Sequence, residues 1–175
     1  MRFLQNVALI APRPAVVFRF FCFFGKLPRW AGKSLHSELI FDKINLAMRI
    51  GLVSEKSASG DIEHNLSVIE RQLSQSKDFD LLLFGESFLQ GFNSLSFEYE
   101  TDAKNALAQN SNVFERIGQA AKESGTATGF GYFETDSTSL YCSYAIIDGS
   151  GKQIYNYRRM STGWKWVEKA CDKYK

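Results

Sequence analysis

Glu86 stands where a carboxylate can do chemistry. It follows the apolar run Leu81-Leu82-Leu83-Phe84 and Gly85, and it precedes Phe88, Leu89 and the pair Gly91-Phe92. A short apolar run bounded by Asp80 and Gly85 predicts a buried central strand. The carboxylate then falls at the carboxyl end of that strand, where open α/β sheets place their reactive groups. Apolar neighbours would partly desolvate it, which suits a general base. The competing reading of the same residues is a solvated loop carboxylate. Cys22, Cys142 and Cys171 are odd in number and show no C-x-x-C spacing. They imply neither a disulfide framework nor a zinc site, and a reducing cytoplasm is the default setting. His36 and His64 belong to no metal-like cluster and read as surface residues. Gly129-Phe130-Gly131 lacks the third glycine and the following helix of a dinucleotide loop, so it predicts close sheet packing. No P-loop and no G-x-S-x-G elbow occur, and no cofactor is expected.

The elements that must carry Glu86 are legible from Met48 onward. Residues 49–53 predict a first strand. Asp61 is a fitting N-cap for a helix whose Ile62, Leu66, Ile69 and Leu73 form one apolar stripe. Glu63, His64, Glu70 and Arg71 fall on the outer side. The strand to Phe84 completes a β-α-β unit with the length of a right-handed crossover. Residues 92–103 show no clear period, although Phe97 and Tyr99 suggest cover for a pocket edge or a neighbouring layer. A second helix is predicted over 112–124, with Val113, Ile117, Ala120 and Ala121 inward and Gly125 as its stop. Strands follow over 126–134, 140–147 and 154–158, separated by the turn residues around Asp136 and by Asp148-Gly149-Ser150-Gly151. Helices alternating with strands, then hairpins in series, predict an α/β layered sandwich with a mixed sheet.

Composition is that of an ordinary globular chain: 45% hydrophobic, 23% charged, net charge +2 over 175 residues. That charge is too small to point to nucleic acid as a partner. It is unevenly spread. Residues 1–47 hold seven Lys/Arg against two Asp/Glu, net +5, which leaves −3 for the rest of a chain that totals +2. The leader has no uncharged stretch long enough to span a bilayer, and Arg13 and Arg19 interrupt any signal-peptide core. It reads as a basic aromatic membrane-surface arm, a weak signal sequence, or an extension upstream of the true start. The third is favoured because Met48-Arg49-Ile50 has the character of a domain opening. The expected division is therefore 1–47 as a leader outside the native domain and 48–175 as the domain, with membrane association not expected.

Residues 48–165 resemble the amino-terminal half of the nitrilase, or carbon–nitrogen hydrolase, superfamily. Residues 83–92, Leu-Phe-Gly-Glu-Ser-Phe-Leu-Gln-Gly-Phe, are similar to the family's strand-Pro-Glu-loop-Gly-Tyr motif, with Gly85 at the proline and Phe92 at the tyrosine. Gly131-Tyr132-Phe133-Glu134 is similar to its Gly-x-x-Glu. Residues 140–148 are similar to its Leu-Tyr-Asn-Ser-Ala strand, with Cys142 replacing the asparagine, and Tyr157-Arg158-Arg159 is similar to its Tyr-Arg-Lys. The resemblance implies an α-β-β-α sandwich, present here incompletely, that forms a homo-oligomer when complete. It also implies a Glu–Lys–Cys site acting on small amide, nitrile or carbamoyl compounds.

Carried over residue by residue, Glu86 is the base. The lysine position holds Arg159, a fixed cation that does not readily give up a proton. Lys165 is the alternative occupant of that role, set against a surface lysine. Glu134 and Glu168 read as structural, with a supporting role at the site as the alternative. No cysteine matches the nucleophile: Cys171 sits in a polar tail without strand character, and Cys142 lies mid-strand, where it reads as a packed small hydrophobe. The expectation is thus a hydrolase fragment that lacks its nucleophile and is inactive alone. The alternative is a non-catalytic binding or interaction module on the same fold.

Overall fold

The computed structural model describes residues 47–160 and 172–175, together with the backbone of two strands, Val7–Ile10 and Ala15–Phe21. Lys165, Glu168, Cys22, Cys171 and His36 lie outside the described residues. The strands are β1 (Val7–Ile10), β2 (Ala15–Phe21), β3 (Ala47–Val53), β4 (Leu81–Leu83), β5 (Ala127–Thr135), β6 (Leu140–Ile147) and β7 (Gln153–Arg158). The helices are α1 (Ile62–Gln75), α2 (Tyr99–Asn105) and α3 (Asn112–Ser124).

The seven strands form one mixed sheet in chain order. β3, β4 and β5 are parallel, and their connections contain α1 and then α2 and α3. β5, β6 and β7 form antiparallel hairpins, and at the other edge β2 pairs antiparallel with β3 and β1 antiparallel with β2. α1 begins where the sequence predicts, with the Asp61 carboxylate accepting from the His64 amide at 2.9 Å. α3 ends on Gly125 in the left-handed conformation, φ 70°.

One face of the sheet carries both long helices. Leu66, Ile69 and Leu73 of α1 and Ile117 and Ala121 of α3 are fully buried against Leu82, Phe130, Tyr132, Ala145 and Ile147. Each such aliphatic side chain stabilises the fold by about 1.5–3 kcal/mol through burial. Phe114 of α3 meets Phe130 and Tyr132 in edge-on contacts with centroids 5.4 and 5.0 Å apart. The side chains alternate, so the opposite face holds Met48, Leu52, Leu81, Leu83, Tyr144, Ile146, Tyr155 and Tyr157. It remains open among the described residues: Leu52 is 39% exposed and Tyr155 52%. No helix among the described residues is long and apolar enough to cross a membrane.

The poorly periodic segment resolves into a 3-10 turn over Phe92–Ser94 and the seven-residue α2. Asp102 organises it, accepting from the Ser96 and Phe97 amides at 2.9 Å each and from the Tyr174 hydroxyl at 2.7 Å. Phe97 packs on Tyr174 with ring centroids 5.9 Å apart.

Among the described residues the buried core runs from Leu66 to Ile147, with Tyr174 beyond it. A chain started at Met48 is therefore expected to unfold cooperatively, with a thermal transition of ordinary steepness. It should be less soluble, because losing β2 bares the edge of β3. A broad, non-cooperative melt would show that residues 1–47 are required by the fold.

Candidate active site

The parallel ladder of β4 ends when Phe84 donates its amide to Gly129 O at 2.8 Å. The chain then crosses β5 on the open face of the sheet. Gly131 donates to Gly85 O at 3.2 Å and Leu89 donates to Gly131 O at 3.2 Å, so residues 85–89 run directly over Gly131. A methyl group on Gly131 would collide with the Ser87 amide nitrogen and lie 2.8 Å from the Glu86 Cα. The close approach at that glycine is to the loop carrying Glu86, which needs the space, rather than to a neighbouring strand. Gly131→Ala is expected to lift the loop and destabilise the chain by about 2–4 kcal/mol, measured by urea unfolding. A loss under about 0.5 kcal/mol would mean that the loop yields freely.

Two buried amides clamp the loop from the helix side. Asn65 of α1 donates to Leu89 O at 3.0 Å and to Ala58 O at 2.7 Å, and it accepts from the Ala58 amide at 2.7 Å. Gln90 donates to Asn105 O and Phe133 O, both at 3.1 Å, and accepts from the Phe133 amide at 2.9 Å. Both side chains are fully buried, and these bonds satisfy them. Sequence reasoning missed this pair. The usable signal was a polar residue, Asn65, directly beside Leu66 on the inner side of an amphipathic helix. Ser87, with φ 53°, and Gly91, with φ 81°, complete the turn.

The clamped loop leaves the Glu86 side chain 49% exposed over the open sheet face. That is more solvated than the surrounding Phe88 and Leu89 suggest, because both of those rings and chains turn into the core. Arg159, just past β7, donates through Nη1 to Glu86 Oε1 at 2.6 Å, and its own amide donates to Cys142 O at 2.9 Å. The Cys142 thiol donates to the same Oε1 at 3.3 Å, and its sulfur lies 3.7 Å from the Ser87 hydroxyl. Glu86 Oε2 accepts no hydrogen bond among the described residues. Burial pushes the Cys142 thiol up to about 11, reinforced by Glu86 and opposed by the Ser87 hydroxyl and the Arg159 charge. Cys142 is buried as the sequence suggests, but it is more than packing material, since its thiol touches the Glu86 carboxylate. Tyr144 lies nearby on the same face and donates to Phe84 O at 2.8 Å.

Glu134 sits on the other side of the sheet. Cys142 pairs across the ladder with Phe133, and the next residue points the opposite way. There Glu134 is 1% exposed and accepts from Arg158, Ser143, Gln109 and Asn156 at 2.6–3.0 Å. Burial works to raise its pKa, and these four donors, Arg158 first, outweigh it and hold the carboxylate down at about 2. Glu134 thus anchors β6 and β7 on the face of the sheet opposite Glu86. The structure brings together Glu86, Arg159 and Cys142. A groove of about 410 Å³ between α1 and α3, lined by Glu70, Lys77, Arg116 and Glu123, shares no residue with that set.

A carboxylate with a fixed cation on one oxygen and no hydrogen-bond donor on the other, among the described residues, can accept a proton at the second. Residues 49–168 match the family model described as carbon-nitrogen hydrolase. A hydrolase from the 5′ region of pqqF in Pseudomonas protegens is 31% identical over 113 residues, covering 64% of this chain and 39% of that protein. An arylacetone-specific nitrilase of Alcaligenes faecalis is 29% identical over 125 residues, covering 65% of this chain and 35% of the other. An amidase from Nesterenkonia sp. superposes with a TM-score of 0.55 at 19% identity, over 65% of this chain and 43% of the amidase. That amidase has been solved with acrylamide and with butyramide. The chain thus spans about two fifths of the length of these relatives. With the family model covering most of its length, the chain belongs to the carbon–nitrogen hydrolase family.

Proposed function

We propose that this chain carries the base-bearing half of a thiol hydrolase that cleaves non-peptide carbon–nitrogen bonds in small amides, nitriles or carbamoyl compounds. The observation that supports it best is the Glu86 carboxylate, held just past the end of β4 by a clamped loop, half-exposed and with Oε1 bound by Arg159. Glu86 takes the proton of a cysteine thiol as that sulfur attacks the amide or nitrile carbon. A covalent acyl or thioimidate intermediate forms. With an amide, Glu86 gives its proton to the departing nitrogen as the acyl thioester forms, and one water releases the acid and regenerates the thiol. With a nitrile, the proton goes to the nitrile nitrogen as the thioimidate forms. A first water then displaces ammonia to leave the acyl thioester, and a second water releases the acid and the thiol. The cation that stabilises the developing negative charge is Arg159 or Lys165, and the contact of Arg159 with Glu86 favours Arg159.

The nucleophile is supplied by a segment outside these 175 residues. Cys142 is buried, holds its proton well above neutral pH and spends it on Glu86, which does not suit a nucleophile. A half-site without its thiol forfeits the orientation advantage, worth several kcal/mol. The same locked thiol also favours a second reading, a non-catalytic binding module on this fold.

The deciding experiment compares the 175-residue chain with a chain extended through the reading frame after Lys175, on a panel of amides, nitriles and carbamoyl compounds. The shorter chain should be inactive and the extended one should turn over at least one compound. Turnover by the shorter chain that disappears in Cys171→Ala would place the nucleophile within it. An extended chain that folds and converts nothing would support the binding module.

A further inference from the structure

We propose that Cys142 is a positioning residue for Glu86: its thiol and the Arg159 guanidinium together hold Oε1 of the carboxylate, so that Oε2 is the oxygen presented for proton transfer. The proposal rests on Glu86 being the base.

Among the described residues, Cys142 meets each part of the set. Its thiol donates to Glu86 Oε1 at 3.3 Å, its carbonyl accepts from the Arg159 amide at 2.9 Å, and its sulfur contacts the hydroxyl of Ser87 at 3.7 Å. It is 5% exposed on a strand flanked on both sides, by β5 and β7, so it is a rigid platform. Glu86 rests on that platform from above, on a loop whose backbone crosses Gly131. Two donors on one oxygen restrict rotation about the last side-chain torsion of Glu86, which is otherwise broad. The thiol can serve as a steady donor because burial keeps it protonated at neutral pH. A residue that merely filled space at this position would need no donor.

The test uses the full 175-residue chain with Cys22→Ser and Cys171→Ser, so that one thiol remains. Its S–H stretching band should lie at lower wavenumber than in the further variant Glu86→Ala, in which the thiol loses its acceptor. Glu86→Gln keeps the shape with a weaker acceptor and should fall between the two. Ser87→Ala should leave the band in place. At pH 7 iodoacetamide should modify Cys142 at least roughly a hundredfold more slowly than a small thiol, given its scarce thiolate. The ¹³C resonance of the Glu86 carboxyl should move in Cys142→Ala and return in Cys142→Ser, which restores a donor. A band indifferent to both Glu86 variants, or one that follows Ser87→Ala instead, would overturn the proposal. Rapid alkylation would overturn it too, by marking the thiol as a nucleophile. None of these readouts involves turnover, so a failure of the hydrolase reading would appear separately, as an active extended chain indifferent to Glu86→Gln.

Discussion

Replacing Glu86 with glutamine in the extended, active chain is expected to lower kcat/KM by about a thousandfold, within the range of 10²–10⁴ typical for loss of a positioned general base. That loss corresponds to about 4 kcal/mol of transition-state stabilisation. The amide of glutamine can accept a hydrogen bond from Arg159 but cannot take up a proton, so the effect should fall on kcat. Stability should barely change, by under about 1 kcal/mol, because the Glu86–Arg159 pair is partly exposed and such pairs contribute little. Steady-state kinetics beside a urea melt separates the two effects. A variant that stays folded and keeps its turnover would place the base elsewhere. A variant that unfolds would show that the carboxylate is needed to build the loop, against the clamps by Asn65 and Gln90.

Glu134→Gln should have the opposite profile, a large loss of stability that does not depend on any substrate. Removing one partner of a buried ion pair costs about 3–5 kcal/mol. At this chain length about 3 kcal/mol corresponds to a fall in melting temperature of roughly 6–12 °C. The pH dependence follows from the lowered carboxyl. Its stabilisation is fully present above its ordinary value of 4.5 and is lost as pH falls through about 2. The gap of about 3 kcal/mol between wild type and variant should therefore hold at pH 7 and close between about pH 4.5 and pH 2. A gap unchanged at pH 2 would assign the cost to repacking around Tyr132 and Asn156, which share the network.

The contrast between these carboxylates shows what was legible in the sequence. Both stand near strand ends, and motif order alone picks Glu86 as the base. Periodicity placed α1, α3 and the strands from β3 onward, because each has enough apolar residues on one face to make its period visible. α2 was not legible, since seven residues with two acids and one lysine carry no stripe, and its position depends on the buried Asp102. The loop clamps were hidden for a related reason. Gln90 is tied to Phe133 across 43 positions and Cys142 to Glu86 across 56, and nothing local announces such partners. The open face was not legible from β4, which is Leu-Leu-Leu and reads as buried on both sides; only the register reveals that Leu83, Tyr144 and Tyr157 form one surface.

The clamps also set an order of events during synthesis. Every bond described here that holds the backbone of residues 85–91 is made by residues between Ala58 and Phe133. The loop can therefore take its final shape as soon as that span has left the ribosome. The two donors that quiet Glu86 Oε1 belong to residues 142 and 159 and emerge afterwards. At roughly 5–20 residues per second, the interval between Phe133 and Arg159 lasts about one to five seconds. During it the nascent chain carries a finished turn with a bare anion at its tip, waiting for its cation.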